Sequence, residues 1–271
     1  MIALSPHDLA WCLRLLPRNV REAMKKYGPK MVIAGGYVRS CVSHEPVNDV
    51  DVFAPSKDVA QMLAMALLPP GTKLVETVNA YTVRGLRYTL QFIHRWTFDR
   101  PELIVPSFDF TIARAAFWYE LDPPTGTLEN QPGHWTSLCD DDFYSDLAGK
   151  RLVYCKPVRN EDAGGSMLRV LKFYQRGFRI PLDSLGAVMA RMVAAIDFGL
   201  LQGKGKDNEA GYAEILTALL IEVDPNIDPE HISHLPTLAE LQKENAEIDA
   251  DDARRYRHST PEVAKELGGA S

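Results

Sequence analysis

The segment that most constrains the fold of this chain is residues 31–53, MVIAGGYVRSCVSHEPVNDVDVF. Its apolar start at residues 31–34 predicts a strand, the pair Gly35-Gly36 predicts a tight turn, and residues 37–42 are compatible with a helix. Residues 50–53 alternate in the way that is typical of a second strand with one buried face. The chain therefore places a glycine turn at a strand-to-helix junction, shortly before an acidic strand.

A double-glycine turn after a strand favours phosphate binding, because backbone N–H groups with no Cβ beside them let an anion approach closely. Arg39 follows Gly36 by three residues, about one helical turn, so it faces the same anion. A glycine pair with one arginine is a weak motif, and alone it does not distinguish a nucleotide site from an ordinary turn.

Asp49 and Asp51 are two residues apart on the acidic strand, so both carboxylates project from one face while Val50 and Val52 point into the core. Paired oxygen ligands suit a Mg²⁺ ion that also holds substrate phosphates and waters. The alternative is that the two aspartates form the solvated face of an edge strand.

Asp109 is the third candidate carboxylate. It lies in SFDFTIA, residues 107–113, within a predicted strand over residues 108–117. A carboxylate in such an apolar strand is costly unless it is paired, hydrogen-bonded or metal-bound. The alternative role is a structural carboxylate that caps a loop.

The other patterns mix helices and strands. Helices are predicted within residues 5–27 and 56–68, with Ser5 and Ser56 as N-caps. Further strands are predicted at residues 73–79 and 88–93. Residues 123–133 are rich in turn-forming residues and predict a surface loop.

From Ser166 onward the periodicity is helical. The first helix is predicted to bury one face, made of Leu168, Leu171, Tyr174 and Phe178. Further helices are predicted at residues 185–200 and 212–223. The basic residues Arg169, Lys172, Arg176 and Arg179 form a stripe opposite the apolar face, and such a stripe is either a solvated helix face or a phosphate-facing surface.

Charge is distributed unevenly along the 271 residues. The net charge is −6, but residues 222–271 carry −7, whereas residues 150–179 hold eight basic and two acidic side chains. The four cysteines are scattered without metal-site spacing, and no secretory signal or membrane-length apolar stretch is present, which predicts a cytoplasmic protein. The acidic tail is expected to be separable, and its deletion is expected to strengthen RNA binding if the partner of this chain is RNA.

GGYVR at residues 35–39, DVD at 49–51 and DFTIARAAF at 109–117 together resemble the head domain of the class II tRNA nucleotidyltransferase and poly(A) polymerase family, in the DNA polymerase beta nucleotidyltransferase superfamily. Residues 146–152 and 167–172 are similar to the start of that family's helical neck. The resemblance covers roughly residues 31–180. It implies an α+β fold, in which a polymerase-beta-like head with a mixed sheet and helices precedes an α-helical neck.

The resemblance also implies roles for individual residues. Asp49 and Asp51 would hold two catalytic Mg²⁺ ions, for which Mn²⁺ can substitute, and Asp109 would be a third carboxylate or an organiser of the pocket. The residues implied to contact a nucleoside triphosphate such as ATP are Gly35, Gly36, Arg39, Arg169 and Lys172. Arg176 and Arg179 are candidate RNA contacts.

The chain also departs from the family pattern. Ser40 stands where the family has an aspartate, and Phe108 stands where it has an arginine. Gly165 and Ser166 occupy the acidic positions of the family's base-reading motif, so nucleotide choice is expected to be relaxed or different. Lys172 replaces an arginine and lacks its planar fork of donors.

The resulting hypothesis is a Mg²⁺-dependent nucleotidyltransferase that transfers a nucleoside monophosphate to a hydroxyl, with an RNA 3′ end as the favoured acceptor. The alternatives are transfer to a protein or small molecule, and a nucleotide- or RNA-binding protein without turnover. The aromatic residues Trp96, Trp118, Tyr119 and Trp135 either stack bases or pack in the core.

Four regions are predicted. Residues 1–30 form a helical segment, 31–155 the nucleotidyltransferase head, 156–224 the helical neck and 225–271 an acidic tail.

Overall fold

The computed structural model describes residues 1–123, 132–157 and 163–195, together with Ala213. Its helices are α1 (Pro6–Leu15), α2 (Arg18–Tyr27), α3 (Gly36–Val42), α4 (Lys57–Leu67), α5 (Phe143–Ala148), α6 (Ala163–Gln175) and α7 (Leu182–Ala194). Its strands are β1 (Val32–Ala34), β2 (Asp49–Phe53), β3 (Val75–Glu76), β4 (Ala80–Val83), β5 (Thr89–Ile93), β6 (Ala115–Leu121) and β7 (Gly133–Cys139).

Within the described residues, the seven strands form one mixed sheet in the order β3-β4-β5-β2-β1-β6-β7. Strands β2 and β5 are parallel, and the other neighbouring pairs are antiparallel. Helices cover the sheet, and α6 and α7 follow it in the chain. The expected α+β fold, a mixed sheet with helices, is confirmed.

The two faces of the sheet have separate cores. On one face, side chains of α1 to α4 pack with sheet residues such as Ile33 and Phe117 in a large buried cluster, which also takes in Val170 and Phe173 of α6. On the other face, Phe53, Ile93 and Trp118 pack under the segment that precedes β6. Asp49 and Asp51 share the second face with Phe53, because side chains on a strand alternate.

The predicted helix starts are confirmed by their caps. Ser5 Oγ accepts a hydrogen bond from the Asp8 N–H at 3.1 Å, and Ser56 Oγ accepts one from the Val59 N–H at 3.2 Å. Each of these bonds satisfies a backbone donor that the first helical turn leaves without a partner. No helix in the described part of the chain is long and apolar enough to cross a membrane.

The predicted strand over residues 108–117 is wrong in its first half. Phe110 makes an isolated bridge to Tyr154, a 3₁₀ turn follows at Thr111–Ala113, and β6 begins only at Ala115. Arg114 stabilises this bend, because its Nε donates to the Phe108 carbonyl at 2.9 Å. Asp109 therefore lies on an irregular segment and not in the sheet.

The predicted apolar face of the first neck helix is confirmed at Phe178, which is 1% exposed, but is wrong at two other positions. Leu171 and Tyr174 are 43% and 60% exposed, whereas Val170 and Phe173 are buried. The buried face contains Val170 and Phe173 because these two residues pack into the cluster formed with α1 to α4. The helix ends before Gly177, which has φ +85°. Strands β4 and β7 were not predicted, and the predicted helix at residues 212–223 lies outside the described residues, apart from Ala213.

Candidate active site

A cleft of about 290 Å³ lies between the sheet and helix α6. It is near the lower end of the size range of small-ligand pockets, roughly 300–1,000 Å³. The cleft is lined by most of the residues singled out in the sequence: Gly36, Arg39, Asp49, Asp51, Asp109, Arg169, Lys172 and Arg176. Residues more than 130 positions apart in the chain thus meet in one place.

The acidic pair occupies the cleft face of β2. Asp49 and Asp51 are half-buried, while Val50 and Val52 are fully buried, as the alternation predicted. Desolvation, followed by repulsion from Asp49, raises the pKa of Asp51 from 3.8 to about 8. The charged form of the pair is therefore disfavoured, and Lys172 and Arg39 offset this only in part.

Gln91 holds this pair and was not found from the sequence. Strand β5 runs parallel to β2 with Gln91 beside Asp51, and Gln91 Nε2 donates to Asp49 Oδ2 at 2.8 Å. The only sequence signal was a polar residue within the apolar strand TLQFI. The pairing of β5 with β2 gives Gln91 its place, and that pairing cannot be read from a local pattern.

Gln91→Glu would place a third carboxylate beside Asp49 and Asp51. Without a cation, the Gln91→Glu variant is expected to be less stable than the wild type by at least about 1 kcal/mol, because a partly buried hydrogen bond is replaced by repulsion. Mg²⁺ is expected to raise its melting temperature by more than it raises that of the wild type. Thermal unfolding with and without Mg²⁺ measures both effects. The control is Gln91→Leu, which adds no charge. An equal rise in melting temperature with Mg²⁺ in the Gln91→Glu and Gln91→Leu variants would contradict this prediction.

The glycine turn joins β1 to α3. Gly35 has φ +75°, and its N–H donates to the Ala115 carbonyl at 2.8 Å. A Cβ atom at Gly35 would lie 2.9 Å from the ring of Phe108. Both the backbone conformation and the Phe108 contact therefore require glycine here.

Gly35→Ala is expected to destabilise the protein by well over about 1 kcal/mol. Gly71→Ala is a matched control, because Gly71 also has a positive φ of +79° but has open space where a Cβ would be added. The difference between the two variants in urea unfolding measures the contact with Phe108. Equal losses of stability in the two variants would show that the Phe108 ring moves to accommodate the added Cβ atom at no energetic cost.

Arg39 extends from α3 into the cleft. It is 8% exposed, its guanidinium lies 4.8 Å from the Phe173 ring centroid, and Nη2 donates to Ser40 Oγ at 3.3 Å. Its Nε has no hydrogen-bond partner among the described residues. Burial, followed by repulsion from Arg176, lowers the pKa of Arg39 to about 10.

Two further cations project from the neck. The pKa of Lys172 is lowered by desolvation and then by Arg176 and Arg39, and the pKa of Arg176 is lowered by desolvation. The guanidinium of Arg176 lies 5.8 Å from the Phe173 ring centroid. Arg39, Lys172 and Arg176 form what we term the cationic wall, and bringing these like charges together favours a polyanionic ligand between them.

Asp109 connects the head to the neck. Its side chain is buried, and Oδ2 accepts hydrogen bonds from Ser166 Oγ at 2.7 Å and from Arg169 Nε at 2.9 Å. Arg191 of α7 donates to the same Ser166 hydroxyl at 3.0 Å. These contacts match the role of organiser better than that of a third metal ligand, and they also engage Arg169, the expected base contact.

Part of the head side of the cleft is apolar. Phe53, Ile93, Trp96 and Phe108 line it, and we term this set the aromatic wall. Phe108, which stands where the resembled family has an arginine, packs edge-on to Phe53 with ring centroids 5.8 Å apart. An apolar ring therefore stands at this position in place of a cation.

The remaining predicted contacts lie elsewhere. Arg179 does not line the cleft; its guanidinium lies 5.2 Å from the Tyr174 ring centroid. Trp118 is 2% exposed and belongs to the core, and Trp135 packs edge-on to Tyr119. Of the four aromatic residues proposed as base-stacking candidates, only Trp96 lines the cleft.

The donor set of the cleft is compatible with a divalent cation. The described residues contain no group of three or more His, Cys, Asp or Glu side chains that could hold a metal. Asp49 and Asp51 nevertheless provide paired oxygen ligands, and a cation would relieve the repulsion that raises the pKa of Asp51. Mg²⁺ sites often use one or two carboxylates, with substrate phosphates and waters as the other ligands.

Residues 9–150 match the model of the Gabija anti-defense 2 family. No curated protein has a matching sequence.

Among solved structures, the fold is similar to the Thermotoga maritima CCA-adding enzyme complexed with tRNA, with a TM-score of 0.49 and 18% identity over 96% of this chain and 58% of that one. A CCA-adding enzyme with CTP gives a TM-score of 0.47 and 17% identity over 92% and 54% of the two chains. A CCA-adding enzyme with ATP gives a TM-score of 0.48 and 18% identity over 96% of this chain and 57% of that one. The chain spans less than two thirds of each structure, and the likeness concerns the fold alone.

Proposed function

The chain belongs to the Gabija anti-defense 2 family, and we propose that it is a nucleotidyltransferase, because its cleft holds paired carboxylates together with crowded cations. It transfers a nucleoside monophosphate from a nucleoside triphosphate to a hydroxyl, with an RNA 3′ end as the favoured acceptor. The observation that carries this proposal is the charge separation within one cleft. Asp49 and Asp51 line the same cleft as Arg39, Lys172 and Arg176.

The cationic wall suits the triphosphate. Arg39 and Lys172 bring positive charge to the cleft from two different elements, and the missing Cβ of Gly36 leaves space beside the Arg39 guanidinium, whose nitrogens would be 3.8 and 3.9 Å from it. Phosphoryl transfer depends mostly on positioning and charge stabilisation, which these residues provide.

Asp49 and Asp51 would hold one or two divalent cations, Mg²⁺ or Mn²⁺. When bound there, the cations supply activation of the acceptor hydroxyl and neutralisation of the charge on the leaving oxygens. Gln91 fixes the orientation of Asp49, and the contact of Asp109 with Ser166 and Arg169 keeps the neck cations opposite the carboxylates.

The reaction forms one bond and breaks one. The acceptor hydroxyl oxygen bonds to the α-phosphorus, and the bond from that phosphorus to the bridging oxygen of the β-phosphate breaks. The electron pair of the broken bond leaves with pyrophosphate, and the hydroxyl proton passes to solvent. No oxidant or reductant is needed.

The test is incubation of the purified protein with each α-labelled nucleoside triphosphate, Mg²⁺ and total RNA. Label in RNA together with pyrophosphate release, both lost in Asp49→Ala, would support the proposal. Label on protein or on a small molecule would keep the chemistry and change the acceptor. If no label is transferred and Asp49→Ala alters neither nucleotide binding nor any product, the transferase proposal fails.

The family name assigns a biological setting, and we infer that this chain counteracts the Gabija defence. If nucleotidyl transfer carries that effect, wild-type protein will suppress the defence in cells that carry it, whereas Asp49→Ala, expressed to the same level, will not. Full suppression by Asp49→Ala would favour the alternative of a binding protein without turnover.

A further inference from the structure

The aromatic wall has no role in holding the triphosphate. Its four side chains, Phe53, Ile93, Trp96 and Phe108, bring no charge to the cleft, yet they line the same cavity as Asp49. Phe53 and Ile93 are 5% and 7% exposed, whereas Trp96 and Phe108 are only partly buried. Part of each larger ring system therefore remains accessible from the cleft.

The wall is held rigidly. Phe108 is fixed between Phe53, at 5.8 Å between ring centroids, and the Gly35 turn. The guanidinium of Arg95 lies 5.2 Å from the Trp96 ring centroid, and Arg95 Nη1 donates to Asn79 Oδ1 at 3.1 Å. A rigid aromatic surface binds a flat partner at little cost in side-chain entropy.

The position of the wall relates it to the acceptor. In phosphoryl transfer the attacking and leaving oxygens are roughly in line on opposite sides of the phosphorus. The cationic wall lies beside α6, because Lys172 is on that helix and the Arg39 guanidinium packs on the Phe173 ring. If this wall draws the leaving pyrophosphate toward α6, the attacking hydroxyl approaches from the side of the cleft away from α6. On the head side, next to the carboxylate pair, the cleft is lined by the aromatic wall.

We propose that the aromatic wall is the acceptor subsite and that Trp96, supported by Phe108, stacks on the 3′-terminal nucleobase of an RNA acceptor. This proposal rests on the proposed function and names the group that the acceptor must carry beside its hydroxyl. A nucleobase is attached to the same ribose as the attacking hydroxyl, so stacking the base positions the nucleophile. Phe53, Ile93 and Phe108 have no hydrogen-bonding side-chain groups, so the subsite accepts all four bases.

Binding without turnover tests the subsite separately from catalysis. The probe is a fluorescein-labelled pentanucleotide RNA that ends either in adenosine or in an abasic ribose, titrated by anisotropy without triphosphate or Mg²⁺. Loss of the terminal base is expected to weaken binding to wild type roughly 5–100-fold, the range for one stacked base. In Trp96→Ala the two probes are expected to bind within about twofold of each other, whereas Trp96→Phe is expected to retain most of the difference.

The matched control is Trp11→Ala, which removes a partly buried tryptophan of α1 that does not line the cleft. This variant is expected to distinguish the adenosine-ended probe from the abasic probe as well as the wild type does. Phe108→Leu, which keeps an apolar side chain but removes the ring, provides a second measurement if Trp96→Ala does not fold. Equal binding of both probes by wild type, or undiminished discrimination by Trp96→Ala and Phe108→Leu, would overturn the proposal.

Kinetics then separate this proposal from the proposed function. Trp96→Ala is expected to raise the KM for RNA about as much as it weakens probe binding, and to leave the KM for the triphosphate within about twofold. A change confined to the triphosphate KM would overturn the acceptor assignment. Transfer to a protein hydroxyl and not to RNA would do the same, whereas base-dependent probe binding without any transfer would support the subsite and count against the transferase.

Discussion

Asp51→Asn is expected to stabilise the cation-free protein at alkaline pH and to abolish its stabilisation by Mg²⁺. Burial, followed by repulsion from Asp49, raises the pKa of Asp51 from 3.8 to about 8 in the folded state. Between about pH 4 and pH 8 the folded state therefore keeps a proton that the unfolded chain has released, so wild-type stability falls as pH rises through this window. Asparagine cannot ionise and avoids that loss.

The expected difference in stability between Asp51→Asn and the wild type is smallest below pH 4, grows up to about pH 8 and is constant above pH 8. A shift of one pKa unit corresponds to about 1.4 kcal/mol. At pH 9 the melting temperature of Asp51→Asn should therefore be higher than that of the wild type by at least about 3 °C. Thermal unfolding from pH 4 to pH 9 with chelator measures this gap. Asp99→Asn, which neutralises an exposed carboxylate, should show no such trend.

Added Mg²⁺ should reverse the order of stability. A cation that binds only the folded state stabilises it by about 2.7 kcal/mol at a hundredfold excess over its Kd, and wild type should gain this whereas Asp51→Asn should not. Nucleotidyl transfer should fall by at least about 10²-fold in Asp51→Asn. If the variant responded to Mg²⁺ as wild type does, Asp51 would not be a ligand.

Arg169→Ala is expected to destabilise the protein more than Asp109→Ala does. The side chain of Asp109 is 5% exposed and that of Arg169 is 33% exposed. Removing Arg169 leaves a buried carboxylate that keeps its contact with the Ser166 hydroxyl but has lost its cation, at a cost of about 3–5 kcal/mol. Removing Asp109 leaves a cation that reaches solvent, so about 1–3 kcal/mol is expected.

Urea unfolding of the two single variants and the double variant checks this asymmetry. The double-variant cycle should give a coupling energy above about 1 kcal/mol, because the two side chains are in direct contact. Arg18→Ala is a suitable control, because the Arg18–Glu22 pair is exposed on both sides and such pairs contribute little. A larger loss for Asp109→Ala would show that Asp109 has stabilising contacts beyond the neck.

Local patterns in the sequence were sufficient for several elements of the site. The period of two in residues 49–53 correctly placed Asp49 and Asp51 on one face, and Ser56 correctly marked the start of α4, because side-chain alternation and helix capping depend on neighbouring residues. The strand expected around Asp109 failed for the opposite reason. Thr111 Oγ1 donates to Asp146 at 2.7 Å, and such a contact from 35 residues away is not visible in a local pattern.

The sequence by itself determined the order of motifs, the acidic strand, the glycine turn and the presence of basic residues in the neck. Tertiary structure alone decided how these groups face one another. It places Gln91 beside the acidic pair through a parallel pairing, engages Arg169 with Asp109, and rotates α6 so that Phe173 is buried and Leu171 is exposed. Periodicity shows which residues share a face, but only packing between distant elements determines which face is buried and which groups meet.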